Sequence, residues 1–225
     1  MQQRGLASFH QWCRKVVCVG RNYAEHAKEL GNAVPQTPVL FLKPPSSLVT
    51  HGSPVELPAA AADDSHHEVE LGLVIGKRGR DIPEAAAMDH IGGYALAIDM
   101  TARGLQNEAK NKGLPWSVAK GYDTFCPVSR FIAKEELPHP EDTTLWLKVD
   151  DELRQNGSTK DMIFSIPFLV SHISSIMTLE EGDLILTGTP SGVGPVKPGQ
   201  RLTAGIEGIS LDVSFPVLLR SRPSA

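Results

Sequence analysis

The chain has 225 residues, 41% of them hydrophobic and 21% charged, with a formal net charge of -4 at pH 7. That length suits one domain with a well-buried core. The lack of a basic excess argues against nucleic acid as a partner, and no apolar run approaches the roughly 18 residues that would cross a bilayer, so no membrane partner is expected.

In chain order, residues 1–14 read as an N-terminal extension and 15–225 as a single domain. The start lacks the apolar core of a secretory signal. The first 24 residues carry Arg4, Arg14, Lys15 and Arg21 and no acid, which resembles an organelle-import segment. We read this as a coincidence of composition, giving a cytoplasmic expectation with the mitochondrial matrix as the alternative for a eukaryotic source. Cys13, Cys18 and Cys126 form no C-x-x-C pair and are odd in number, which suggests a reducing compartment rather than a disulfide framework.

Lys15–Gly20 (KVVCVG) predicts a β-branched strand closed by glycine, Ala24–Leu30 (AEHAKEL) a short helix before Gly31, and Val39–Leu42 a strand stopped by Pro44-Pro45. A loop with Gly52, Pro54 and Pro58 follows. Glu68–Ile75 (EVELGLVI) alternates acid with apolar residues before turning wholly apolar, which predicts a strand with one end on a polar cavity. Pro83–Met88 predicts a helical turn, Ile91–Met100 a buried strand ending in an acid, and Thr101–Lys112 a helix stopped by Gly113 and Pro115. Leu145–Val149 alternates as a strand, Asp150-Asp151 turns, and Glu152–Gln155 returns toward Asn156-Gly157, read as a turn dipeptide. Ile166–Met177 predicts the one longer helix. Leu184–Leu186 predicts a strand delivering the loop Gly188–Pro195 (GTPSGVGP), and two strands close the chain. With 20 glycines, 17 prolines and many short strands, the expected class is a β-rich α+β fold with a mixed, curled sheet.

Strand alternation puts Glu68 and Glu70 on one face, about 7 Å apart. Two carboxylates there repel unless a cation neutralises them, and Asp99, ending an apolar run, is a natural third ligand for Mg²⁺ or Mn²⁺. Taken alone, E-x-E is more often the solvated face of an edge strand. His66 and His67 lack the partners and spacing of a zinc site.

His26 and Glu29 stand at i and i+3 on a short helix and share a face, as a dyad with an oriented general base or as an exposed pair. Arg103 and Gln106 repeat that spacing after Asp99, as anchors for a substrate carboxylate or as ordinary helix surface. Lys120 lies in a mixed stretch where a lysine is usually solvated. Gly188-Thr189-Pro190 ends a buried strand, where backbone amides and the Thr189 hydroxyl suit an oxyanion. The phosphate-loop pattern and the G-x-S-x-G elbow are both absent.

Six blocks occur in order: Val19-Gly20-Arg21-Asn22-Tyr23 with His26; Phe41-Leu42-Lys43-Pro44; His67-Glu68-Val69-Glu70-Leu71; Asp99-Met100-Thr101-Ala102-Arg103; Lys120-Gly121-Tyr122-Asp123; and Gly182-Asp183 leading to Thr187-Gly188-Thr189-Pro190. Together they resemble the fumarylacetoacetate hydrolase superfamily, in its short, single-domain acylpyruvase and fumarylpyruvate hydrolase-like branch. The resemblance implies a mixed β-sandwich roll, a homodimer, and one Mg²⁺ or Mn²⁺ per chain on Glu68, Glu70 and Asp99. It implies catalytic roles for His26, Glu29 and Lys120, with the His26 segment closing as a lid. Arg21, Lys43, Arg103, Gln106 and Thr189 would contact a small 2-oxo acid.

The activity expected from the resemblance is hydrolysis of an acylpyruvate C–C bond, of acetylpyruvate or fumarylpyruvate type, to pyruvate and a carboxylic acid, as in aromatic catabolism. Oxaloacetate decarboxylation or keto-enol tautomerisation on the same residues is the alternative. A non-catalytic 2-oxo acid sensor is the alternative of another class.

Overall fold

The apolar run after the two glutamates forms the strand Val69–Ile75, buried along its whole length. It lies in the middle of an eight-stranded mixed sheet in the computed structural model, which describes residues 5–25 and 35–221. The strand order is Val39–Lys43, Val16–Gly20, Leu184–Leu186, Val69–Ile75, Ile91–Ile98, Cys126–Val128 and Leu48–Thr50, with Ile132–Ala133 also paired to Ile91–Ile98. Pairing is antiparallel except between Val16–Gly20 and Leu184–Leu186 and between Leu48–Thr50 and Cys126–Val128.

Alternation along these strands feeds two cores. Val17, Val19, Leu71, Leu73, Leu96 and Ile98 join Leu145, Leu147, Val149, Leu202 and Phe215 of a second, five-stranded sheet. That sheet runs Glu152–Ser158, Thr144–Val149, Arg201–Ile206, Asp212–Leu219, Val55–Leu57. On the opposite face Val16, Cys18, Ala95, Ala97 and Leu184 pack on Phe9, carried by the 3-10 helix Leu6–Gln11. The segment before the first strand therefore supplies a core side chain, and burying one of that size contributes about 1.5–3 kcal/mol. All three cysteines are free and buried.

Helix Ile166–Ile176 starts at Ser165, whose hydroxyl accepts from the Phe168 amide, and buries Ile166, Leu169, Val170 and Ile173. That i, i+3, i+4, i+7 stripe fixes its inward face.

Two sequence expectations change. Val55–Leu57, inside the expected loop, is a strand because Asp212–Leu219 offers it a parallel edge. Asn156-Gly157 is not a turn but lies within Glu152–Ser158, opposite Trp146 and Leu145. The hairpin already turns at Asp150-Asp151, with φ of 49° and 67°. Gly157 instead answers to packing, since a Cβ there would stand 2.5 Å from Pro190 Cβ.

Candidate active site

Glu68 sits in the break between strands Ser65–His67 and Val69–Ile75, Glu70 one residue into the latter, and Asp99 just past Ile91–Ile98. Pairing of Val69 with Ile98 sets the register, and the Asp99 amide donates to the Glu68 carbonyl at 2.7 Å. One carboxylate oxygen from each of the three acids then lies within 4.8 Å of the others. The acids are 6%, 2% and 1% exposed, so they are no solvated face, and burying such charges unanswered would cost several kcal/mol each.

Three buried cations answer them. Lys120, ending the short helix Ser117–Lys120, donates to Glu68 Oε2 at 2.9 Å and to Asp99 Oδ2 at 2.5 Å. Burial pulls its ammonium down, but Asp99 and Glu68 outweigh it and leave the pKa above its ordinary value. Arg103 donates to Glu68 Oε1 through Nη2 and to Gln106 Oε1 at 2.6 Å through Nη1.

Lys43 spends its three ammonium protons on the carbonyls of Met100, Lys120 and Phe125, at 2.9, 2.7 and 2.8 Å. Its Nζ also stands 2.8 Å from Asp99 Oδ1, yet that oxygen receives no hydrogen bond. The two observations agree: the contact is ionic, because no proton remains to point at the carboxylate. Lys43 lies beneath Asp99 as a support, so the substrate contact expected of it does not fit its position.

Glu70 accepts from the Gly188 amide at 2.6 Å. Burial, then the charges of Asp99 and Glu68, push its pKa well above the ordinary range. An all-oxygen donor set with one unfilled acceptor and one carboxyl driven toward neutrality fits a hard divalent cation of the Mg²⁺ or Mn²⁺ kind. The histidines do not join it. His66 pairs with Asp64 at 3.2 Å, and His67 Nδ1 lies 2.9 Å from Gln155 Oε1, with burial holding it neutral at a pKa of about 4.

The acids floor a cleft of about 370 Å³ whose walls include Arg21, Arg103, Gln106, Lys110, Trp116 and Thr189. Thr189 donates its hydroxyl proton to the Val69 carbonyl at 2.8 Å and accepts from Gln155 Nε2 at 2.8 Å. It lines the cleft, but its one proton is committed to the protein. His26, Glu29 and most of the predicted Ala24–Leu30 helix lie outside the described residues.

Two residues escaped the sequence reading. Gln155 carries a weak signal: it is a polar side chain at the buried position of an otherwise exposed strand, where its amide bridges His67, Val69, Thr189 and Pro190. Lys110 carries a clearer one, since it stands seven residues after Arg103 and four after Gln106, on the same helical face.

Residues 15–212 match the family described as fumarylacetoacetate (FAA) hydrolase C-terminal. The chain belongs to the fumarylacetoacetate hydrolase family. Within it, a mitochondrial oxaloacetate tautomerase of Arabidopsis thaliana is 63% identical over 93% of both chains. A mitochondrial oxaloacetate decarboxylase of Dictyostelium discoideum is 57% identical over 96% of this chain and 100% of its own. Among solved structures of this fold, the fumarylpyruvate hydrolase of Pseudomonas aeruginosa in complex with Mn²⁺ and pyruvate superposes with a TM-score of 0.86. It is 38% identical and covers 92% of this chain and 91% of its own. These fumarylacetoacetate hydrolase relatives are named as enzymes, and the fold carries the mixed, curled sheet expected of the family.

Proposed function

We propose that the chain is a keto-enol tautomerase of oxaloacetate, dependent on Mg²⁺ or Mn²⁺, with decarboxylation as a second outcome of the same enol chemistry. The observation that carries this is the 63% identity, over 93% of both chains, to a protein named for oxaloacetate tautomerisation. Hydrolysis of acylpyruvates gives way to it. Relatives at 57–63% identity are named for oxaloacetate, whereas fumarylpyruvate hydrolase enters through a structure 38% identical. The relatives' mitochondrial names, with four basic and no acidic side chains in the first 24 residues, support the mitochondrial matrix over the cytoplasm. Leu42 and Leu114, 48% and 54% exposed, flank an apolar surface with Trp116, which supports a homodimer.

Glu68, Glu70 and Asp99 hold the cation, and bound there it supplies the Lewis acidity that polarises a 2-oxo carboxylate. Arg103, locked to Gln106 and to Glu68, and Gln106 orient the ligand in the cleft. His26, oriented by Glu29, takes the C3 proton; the C2–C3 double bond forms and the C2 oxygen is protonated. Lys120, kept charged by Asp99 and Glu68, donates toward that oxygen as negative charge gathers there. In decarboxylation the C3–C4 bond breaks instead, CO₂ leaves, its electron pair enters C2–C3, and protonation at C3 gives pyruvate.

The test follows enol absorbance and pyruvate release from oxaloacetate, beside acetylpyruvate and fumarylpyruvate, with Mg²⁺, Mn²⁺ or EDTA. Metal-dependent enol turnover faster than pyruvate release is expected. Faster cleavage of either acylpyruvate restores the hydrolase, and metal binding without turnover of any of the three makes the chain a sensor. His26→Ala should abolish tautomerisation and spare decarboxylation in larger part; equal loss of both removes the dyad assignment.

A further inference from the structure

Helix Arg103–Lys112 brings Arg103, Gln106 and Lys110 to the cleft on one face. Arg103 is bonded to both Gln106 and Glu68. Lys110 is not: its ammonium stands 5.5 Å from the Trp116 ring centroid, half-buried, with no carboxylate paired to it among the described residues.

Arg21 is in the same condition. Its backbone is held at φ 62°, a left-handed conformation that costs a non-glycine residue about 1 kcal/mol or more. What holds it is the neighbouring Asn22, buried and bonded to the Thr187 carbonyl at 2.8 Å and to the Phe164 amide and carbonyl at 2.7 and 3.2 Å. A strained arginine and a desolvated lysine close enough to repel each other do not serve stability. Burial, then Arg103 and Arg21, pull the Lys110 pKa down to about 8.

We infer that Lys110, together with Arg21, is the specificity-determining grip for the far carboxylate of a four-carbon dicarboxylic 2-oxo acid. The inference rests on the oxaloacetate reading for the ligand's length and deepens it. Glu68, Glu70 and Asp99, through their cation, claim the 2-oxo carboxylate end, and Arg103, Lys120 and Lys43 are already answered by protein groups. The charge left over on the ligand is its C4 carboxylate, and among the described residues the charges left over in the cleft are Arg21 and Lys110. A monocarboxylate such as acetylpyruvate would leave both unanswered, which discriminates against it.

Malate and lactate share a 2-hydroxy carboxylate and differ by the far carboxylate, and neither loses a C3 proton in this reaction, so calorimetric titration of the Mn²⁺-loaded enzyme separates grip from turnover. Wild type should bind malate at least about 10-fold more tightly than lactate. Lys110→Met, which keeps an unbranched stem against Trp116, should lose about 10- to 100-fold in malate affinity and leave lactate within about 2-fold. Lys110→Arg should recover most of the loss, and KM for oxaloacetate should follow malate with kcat nearly unchanged.

Equal loss for both ligands, malate binding untouched by Lys110→Met, or no malate preference in wild type overturns the inference. So does a kcat loss that Lys110→Arg fails to rescue, which would make Lys110 a proton carrier. A wild type that prefers malate through Lys110 yet does not turn over oxaloacetate sinks the tautomerase and leaves the grip standing.

Discussion

The floor and the rim of the cleft use the same side-chain types under opposite conditions. On the floor, Lys43, Lys120 and Arg103 are buried and bonded to carbonyls, Gln106, Glu68 and Asp99. At the rim, Arg21 and Lys110 have no ion pair among the described residues. A cation already answered by the protein is fixed in place and keeps few donors for a ligand, as Lys120 keeps one ammonium proton beyond Glu68 and Asp99; one left unanswered costs stability and is free to bind. Counting positive charges around a cleft therefore says little until each is traced to its partner.

The largest effect should come from the floor. Asp99→Asn removes a ligand charge, and Mn²⁺ affinity by calorimetry, with oxaloacetate turnover, should fall at least about 100-fold. Undiminished affinity would move the ligand set elsewhere. Lys43→Met takes a donor from three carbonyls, of which Phe125 keeps the Met100 amide, and leaves a buried carboxylate short of one positive charge, and should cost about 3–5 kcal/mol. Thermal unfolding would then shift down by roughly 6–20 °C, and a Tm close to wild type would deny Lys43 its supporting role.

The rim should respond to pH rather than collapse. Lys110 is charged below about pH 8 and loses its charge above it. Burial first, then Arg103, Arg21 and Lys120, favour that loss and Glu68 opposes it. KM for oxaloacetate should accordingly rise several-fold from about pH 7 to 9 in wild type and stay flatter in Lys110→Arg, whose guanidinium remains charged. Identical profiles would assign the dependence to another group. The smallest effect belongs to a site far from both regions. Asp151→Gly relieves a left-handed backbone with φ of 67° and should stabilise the fold by about 0.5–1 kcal/mol with kinetics unchanged.

Much of the floor was legible. Glu68, Glu70 and Asp99 interrupt apolar runs, and strand periodicity brings such acids together once the two strands pair. Lys43 and Lys120 were harder, because a lysine beside apolar residues usually reaches solvent, and only tertiary packing shows that the chain closes over both. Asn156-Gly157 misled because a glycine chosen to admit Pro190 looks the same in sequence as one chosen for a turn. The strand Val55–Leu57 had no local signal, since its partner lies some 160 residues away in sequence. The His26–Glu29 dyad remains a reading of spacing and resemblance.

Gln155 gives the second sheet its hold on the cleft, through one amide that reaches His67, Val69, Thr189 and Pro190. For protein engineering this divides the molecule into a part that tolerates rebuilding and a part that does not. The exposed hairpin ends at Asp150-Asp151 and Gly208, the latter with open space around a built Cβ, can accept inserted peptides or fused reporters. The strand between them and the cleft must keep its register, because a slip of one residue would turn the Gln155 amide out of the core and release the loop that walls the site.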